Sequence, residues 1–508
     1  MASFNASSAE VAEETTNLMI NSQSVEPNEV IEVGNKSSTY GPKSRKKESL
    51  IWMAFCLALV LVGLGCLVGY FAYKTVGMPR SYNGDSDNMP APVASIMNLT
   101  NSSDSSKALE QIMQRMGHSE YDPCDNFYEF ACDGVINGDV LDITSFVSLS
   151  ITQFSSKISQ LRDEKVFKTL DQFFKFCGDD VHCRLIMINY FDMPIGLALM
   201  EEFGLLEKAE SIYFSVKNAT KQLVDEGEWL EKSSKDIAID LIDSTKIHLG
   251  LPSDYANWEI YEKMEEFCNT HVDHDSCPRI DYSAEEAHLF DFDSLYEIIY
   301  KRKPSRSLFD DDLSPMSPGG EINITTKDIA IPVAYLLPIG FGNESAISYG
   351  FLGIILAHEF SHYFDEEGWE TYFPLQNSTD KYKFDKNRNC IKKQYKNNGN
   401  TTDEDFADLS GLEIAYRALE NKLGKEAMTK PIFESHNFTN EQAFFISYAQ
   451  HWCRKKEKFR KYTGHVHSRE DLRTLNPLRN SDAFAKAFNC PVGSPMNPVE
   501  KCRIWIKP

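Results

Sequence analysis

Positive charge is scarce here: 52 Lys and Arg stand against 75 Asp and Glu, a formal net charge of −23 at pH 7. A nucleic-acid binder needs a basic footprint to neutralise phosphates, so that class is excluded. Paired C-x-x-C spacing is missing, which excludes a zinc ribbon. No repeat of solenoid period occurs, which excludes a stacked array. What is present suits a folded protein. Hydrophobic residues make up 42% and aromatics 12% of the chain, enough to bury a substantial core.

One apolar run sets the expected topology. Residues 51–73 (IWMAFCLALVLVGLGCLVGYFAY) carry no charge and are long enough to cross a bilayer as a tilted helix. The run is too long and starts too far from Met1 for a cleavable signal peptide, so it reads as a signal-anchor. Lys43, Arg45, Lys46 and Lys47 precede it, whereas only Lys74 and Arg80 follow closely. The positive-inside bias therefore predicts a single-pass type II membrane protein at the cell membrane: a cytoplasmic tail at 1–50 and everything after Lys74 outside.

Two features agree with that side. Ten cysteines follow the run: Cys124, Cys132, Cys177, Cys183, Cys268, Cys277, Cys390, Cys453, Cys490 and Cys502. An even number in an oxidising compartment reads as a disulfide set. Glycosylation sequons fall at Asn98, Asn101, Asn218, Asn323, Asn343, Asn377, Asn400 and Asn437. The composition of residues 74–118 predicts a stalk. Helical patterns dominate 119–313, including 151–161, 166–176 and 219–247. Residues 313–320 (LSPMSPGG) predict a joint, and 328–334 (DIAIPVA) a strand in which Pro332 signals an edge or a bend.

Residues 349–364 (YGFLGIILAHEFSHYF) predict a buried helix. His358 and His362, at i and i+4, share one face and can aim at a single ion. Glu359 is placed to accept a proton rather than to ligate. A buried helix does not carry His-Glu-x-x-His without partners to satisfy it. For a third ligand, the position six after His362 is Gly368 and residue 381 is Lys, which leaves Glu404 as the best candidate. Glu404 and Asp408 also stand at i and i+4; one could ligate while the other accepts a hydrogen bond from a ligand imidazole.

Several ordered motifs resemble the neprilysin and endothelin-converting-enzyme family of type II membrane zinc metalloendopeptidases. They are DPCDNFYEFAC from Asp122, the stretch 218–250, EDFADLSGLEIAYRAL from Glu404, FFISYAQHWC from Phe444, and the tail from Val466 to Trp505. The resemblance implies an α+β, mainly helical fold. It also implies a thermolysin-like zincin catalytic domain at 314–508 and a shortened helical lobe at 119–313. It implies one Zn2+ per chain on His358, His362 and Glu404, with Glu359 as general base and acid. Asp408 would orient a ligand histidine, His467 would stabilise the tetrahedral intermediate, and Arg473 would hold the substrate carbonyl. Trp452 matches part of a hydrophobic pocket for the residue after the cleaved bond. The family's cystine pattern implies Cys124–Cys490, Cys132–Cys453 and Cys390–Cys502, leaving Cys177, Cys183, Cys268 and Cys277 with three possible pairings.

The chain departs from that family in three ways. It is shorter, with the loss falling mainly between Cys183 and Glu210. The substrate-anchoring Asn-Ala-aromatic motif is missing, its place falling near Gly319-Gly320-Glu321. No arginine occurs between Cys132 and Arg162. The leading expectation is a membrane-anchored peptidase acting on small peptides before hydrophobic residues, with the bilayer contacted through 51–73. The competing expectation is a catalytically impaired, zinc-binding, receptor-like or structural ectodomain. A homodimer is possible, but nothing in the sequence supports one.

Overall fold

The computed structural model describes residues 114–116, 120–162, 165–177, 184, 187–188, 191–251, 314–317, 319–340, 345–373, 378–395, 401–433, 436–456, 459 and 466–505. All lie within a compact unit spanning Met89–Pro508. The predicted tail and the apolar run at 51–73 lie outside the described residues, as do Asn98, Asn101, Asn343, Asn377, Asn400, Cys183, Cys268 and Cys277. No described helix is long and apolar enough to cross a membrane.

The fold is mainly helical α+β. In chain order the principal helices and strands begin with α1 (Phe127–Ile136), α2 (Ile143–Ser155), α3 (Lys165–Cys177), α4 (Asp192–Glu202), α5 (Leu205–Glu226) and α6 (Lys232–Ser244). Next come β1 (Lys246–Gly250), β2 (Glu321–Asn323), β3 (Asp328–Pro332), α7 (Val333–Gly340) and α8 (Ile354–Ser361). Then follow α9 (Glu366–Tyr372), α10 (Ser378–Tyr395), α11 (Thr402–Leu423), β4 (Pro431–Phe433) and β5 (His436–Thr439). The series ends with α12 (Asn440–His451), α13 (Glu470–Asn480) and α14 (Asp482–Ala487). Polar caps mark several starts: Asn126 accepts from Glu129 N and Asp142 from Ser145 N. Thr439 and Gln442 form a reciprocal capping box on α12.

The three-stranded sheet has the order β1-β3-β2, with β1 parallel and β2 antiparallel to β3. Two local expectations change here. The helical pattern over 219–247 breaks at Gly227, whose N–H closes α5 on the Leu223 carbonyl, and Ile247 joins β1 opposite Ile329. A strand partner as distant in the chain as Ile329 is invisible to local periodicity. Pro332 ends the central, fully buried strand, not an edge strand, and the chain bends there into α7. Its missing N–H costs no ladder bond at a strand end.

One hydrophobic core runs from Phe127 to Trp505. Phe127 packs edge-on against Phe484 and Phe488 at 4.7 and 4.8 Å, which brings the early helix α1 onto the C-terminal segment. Cystines join Cys124 to Cys490, Cys132 to Cys453 and Cys390 to Cys502. Against this core lies the pair that frames the site, α8 on α11. A Cβ at Gly411 would stand 2.9 Å from the His358 backbone nitrogen and 3.1 Å from its Cα, so only glycine permits that approach.

Candidate metal centre

The predicted buried helix over 349–364 is three local geometries in succession. A π turn at Tyr349–Gly353 leads into α8, and a 3-10 turn at His362–Phe364 closes it. Such π turns often accompany functional sites because they re-aim side chains. His358 and Glu359 sit in the last turn of α8 and are 5% exposed each. The His358 and His362 rings stand edge to face with centroids 4.8 Å apart. Glu404 projects from the first turn of α11, where a helix N-terminus favours negative charge.

Three donor atoms converge. His358 Nε2 lies 3.1 Å from His362 Nε2 and 3.1 Å from Glu404 Oε2, and His362 Nε2 lies 3.9 Å from the same oxygen. Tetrahedral coordination at zinc–ligand distances near 2.0–2.1 Å places donor atoms roughly 3.3 Å apart, so this spacing fits such an ion. His467 Nε2 approaches Glu404 Oε2 from another side at 3.0 Å. His358, Glu404 and His467 also form a group whose ligand atoms all lie within 4.8 Å of one another.

The opposite ring nitrogens both face carboxylates. His362 Nδ1 bonds Asp365 Oδ2 at 2.7 Å, and His358 Nδ1 lies 3.0 Å from Asp408 Oδ1 in a bent contact. With each Nδ1 turned toward a carboxylate, both Nε2 atoms are left to face an ion beside Glu404. Without an ion, protons on the imidazoles join these atoms as hydrogen bonds; with one, the same atoms converge on it as ligands. The donor set therefore fits a divalent metal, with N and O ligands of the kind zinc takes.

The charges point the same way. Burial opposes the imidazolium forms, yet hydrogen bonds to Asp408 and Glu404 raise the His358 pKa, and Asp365 and Glu404 push His362 up to about 10. Burial would also raise Glu404, but His467, His358 and His362 hold it well below the usual carboxylate range. This pocket of carboxylates calls for positive charge. Glu359 is the exception: burial dominates and raises its pKa despite the neighbouring histidines. Its carboxylate makes no hydrogen bond among the described residues, and a Cβ at Gly320 would lie only 3.4 Å from its Oε1.

Arg473 Nε and Nη2 donate to Asp408 Oδ2 and Oδ1 at 2.7 and 2.6 Å, leaving Nη1 outside that fork. Burial opposes both charges, but each partner outweighs it, so Asp408 is lowered and Arg473 raised. The Arg473 guanidinium lies 3.9 Å over the Trp452 ring, which links Trp452 to the donor cluster through Arg473 and Asp408. Asp365 is a site residue that the sequence reading missed. Its signal was a His-x-x-Asp spacing, obscured because residues 349–364 read as one uninterrupted helix. Of the sequons, Asn218 is exposed on α5, and Asn323 turns its side chain back onto Thr325 N and Thr326 N.

Comparisons with known proteins place the same region in a family. Residues 323–504 match Peptidase family M13. Neprilysin-2 of Caenorhabditis elegans is 36% identical over 202 residues, covering 35% of this chain and 27% of that protein. Endothelin-converting enzyme 1 of Cavia porcellus is 27% identical over 318 residues, covering 58% and 41%. These matches span less than half the length of either relative. The crystal structure of Mycobacterium tuberculosis zinc metalloprotease ZMP1 with an inhibitor is 18% identical and covers 71% of this chain and 57% of its own, with a TM-score of 0.48. Over residues 323–504 the chain is therefore similar to Peptidase family M13, and it is a distant homologue of the neprilysins and of endothelin-converting enzyme 1.

Proposed function

We propose that this protein is a zinc-dependent endopeptidase of small peptides, anchored through residues 51–73 with the remainder outside the cell. The observation that carries this reading is the convergence of His358 Nε2, His362 Nε2 and Glu404 Oε2 beside a buried Glu359 carboxylate that makes no hydrogen bond among the described residues. His358, His362 and Glu404 would hold the ion, with Asp408 and Asp365 orienting the two imidazoles. Bound zinc supplies Lewis acidity, which makes a water nucleophilic at neutral pH.

The remaining chemistry belongs to the chain. Glu359 takes the proton of the attacking water and returns it to the leaving amine. Burial raises its pKa toward the working range, which suits a group that must be base and then acid. His467 and Arg473 would offset negative charge growing on the peptide carbonyl oxygen. Burial and then Arg473 lower the His467 pKa, against the opposing pull of Glu404. A neighbouring cavity with Ile143, Val147, Phe351 and Trp452 in its wall supports a substrate side chain with an apolar stem beside the cut. Three cystines suit an oxidising compartment.

The test is a peptidase assay on the purified, zinc-loaded full chain against a broad peptide library. Chelation should abolish cleavage and zinc restore it. Glu359→Gln should retain zinc while losing about 10²–10⁴-fold in rate. Equal turnover by wild type and Glu359→Gln would sink the enzyme reading and leave the catalytically impaired, zinc-binding ectodomain.

A further inference from the structure

A half-open cavity of about 60 Å³ lies among Ile143, Val147, Phe351, Trp452, His451 and Tyr335, with Thr144, Ala334, Arg454 and Glu470 completing the wall. Two of its wall residues connect to the site. Phe351 stands seven residues, roughly two helical turns, before His358 on the chain that becomes α8. Trp452 lies under Arg473, the partner of Asp408.

This cavity is not purely apolar. Tyr335 hydroxyl and His451 Nε2 share a short hydrogen bond, and Phe351 and Trp452 pack on the His451 ring at 4.7 and 4.5 Å. Two buried nitrogens of the lining residues, Trp452 Nε1 and His451 Nδ1, have no partner among the described residues. Trp452 as a whole is 8% exposed. A native fold rarely leaves buried polar atoms unpaired unless something else satisfies them. Trp452 Nε1 is a donor only. His451 Nδ1 is a donor or an acceptor according to which way the Tyr335 hydroxyl points. Burial and then Arg473 bring the His451 pKa down to about 3, so the ring is neutral in either case. Glu470, 2% exposed, adds a carboxylate acceptor held 3.8 Å from Arg454 Nε.

We propose that this cavity selects a glutamine-type substrate side chain, an apolar stem ending in a neutral carboxamide. The inference rests on the peptidase reading above and narrows its substrate. A carboxamide offers one acceptor and two donors, so it answers Trp452 Nε1 and Glu470 together and suits either His451 tautomer. A carboxylate of the same shape would face Glu470, and a thioether would leave both nitrogens unpaired.

The experiment uses the zinc-loaded full chain and three peptide libraries with one fixed position, occupied in turn by Gln, Met or Glu. Sequencing of the products should show Gln favoured over Met and over Glu by about tenfold at one position next to the cut, the worth of one well-made hydrogen bond. Trp452→Phe, which keeps a ring and removes the N–H, should bring the Gln-to-Met ratio toward one, and His451→Leu should lower it too. Cleavage without a Gln preference, or with the same preference in both variants, overturns the inference while leaving the peptidase reading intact. A second readout needs no turnover. In zinc-loaded protein with labelled indoles, propionamide should shift the resonance that Trp452→Phe removes, saturably, and propionate should not. Absence of any amide-dependent shift overturns the inference even if no peptide is cleaved.

Discussion

Asp408 holds two groups at once, the Arg473 fork and the Nδ1 side of His358. Removing its charge strands a buried guanidinium, so Asp408→Asn should lose about 3–5 kcal/mol of stability. The same change should weaken zinc binding about 10–100-fold, because His358 loses its orienting partner. Acid should narrow the stability gap. Asp408 has a depressed pKa in the folded state, so its contribution is complete above the ordinary carboxylate range. It is lost as pH falls through the folded value. Urea titrations of both proteins at neutral and at acid pH check this; a gap that widens in acid contradicts it. His358, His362, Glu359 and Glu404 were legible as spacing because ligands on one helical face repeat at i and i+4. The Asp408–Arg473 pair was not. Its two members lie 65 positions apart, and no local rule selects one carboxylate for that guanidinium.

At the scale of elements, two helices carry the centre, and the gap between them sets the distance between its donors. Helix α8 brings His358, helix α11 brings Glu404 and Asp408, and Gly411 lets the second helix settle on the backbone of the first. Gly411→Ala should force the helices apart, costing about 1–3 kcal/mol as overpacking does. Zinc affinity should fall with it, because the separation of His358 from Glu404 widens. Thermal unfolding of the apo protein and competition for zinc against a chelating dye measure the two effects. Loss of stability with unchanged zinc affinity would show that α8–α11 spacing does not set the site. The helical pattern of α11 was readable from its sequence. Its contact with α8 was not, because glycine at a helix interior reads locally only as a weak residue.

The whole molecule is closed by its last segment. Trp505 donates from Nε1 to Ser410 Oγ at 2.8 Å, and its backbone N–H reaches Glu413 Oε2 at 3.0 Å, both on α11. Ser410 in turn accepts from Ser361 Oγ on α8 at 2.7 Å, so the C-terminus supports both helices of the centre from behind. Cys390–Cys502 ties this segment to α10 across a separation of 112 residues. A loop of that size constrains the unfolded chain by about 4–5 kcal/mol. The double variant Cys390→Ser with Cys502→Ser should lose stability of that order in non-reducing denaturation, and its zinc affinity should fall as the tail frays. A double variant as stable as wild type would contradict the bracing role.

Local sequence determined the elements that local physics governs: helix periodicity, a strand expected over 328–334 and found at Asp328–Pro332, and two histidines aimed from one face. Motif resemblance added the family, and residues 323–504 match it. Tertiary structure decided what depends on neighbours distant in the chain. It made Ile247 a strand residue by giving it Ile329, placed Pro332 at the end of a central strand, and set Asp365 behind His362. It also brought Tyr335, His451, Trp452 and Glu470 around one cavity. The reason is physical. A side chain's spacing along a helix follows from 3.6 residues per turn, whereas its desolvation and its partner's charge exist only once separate segments pack together.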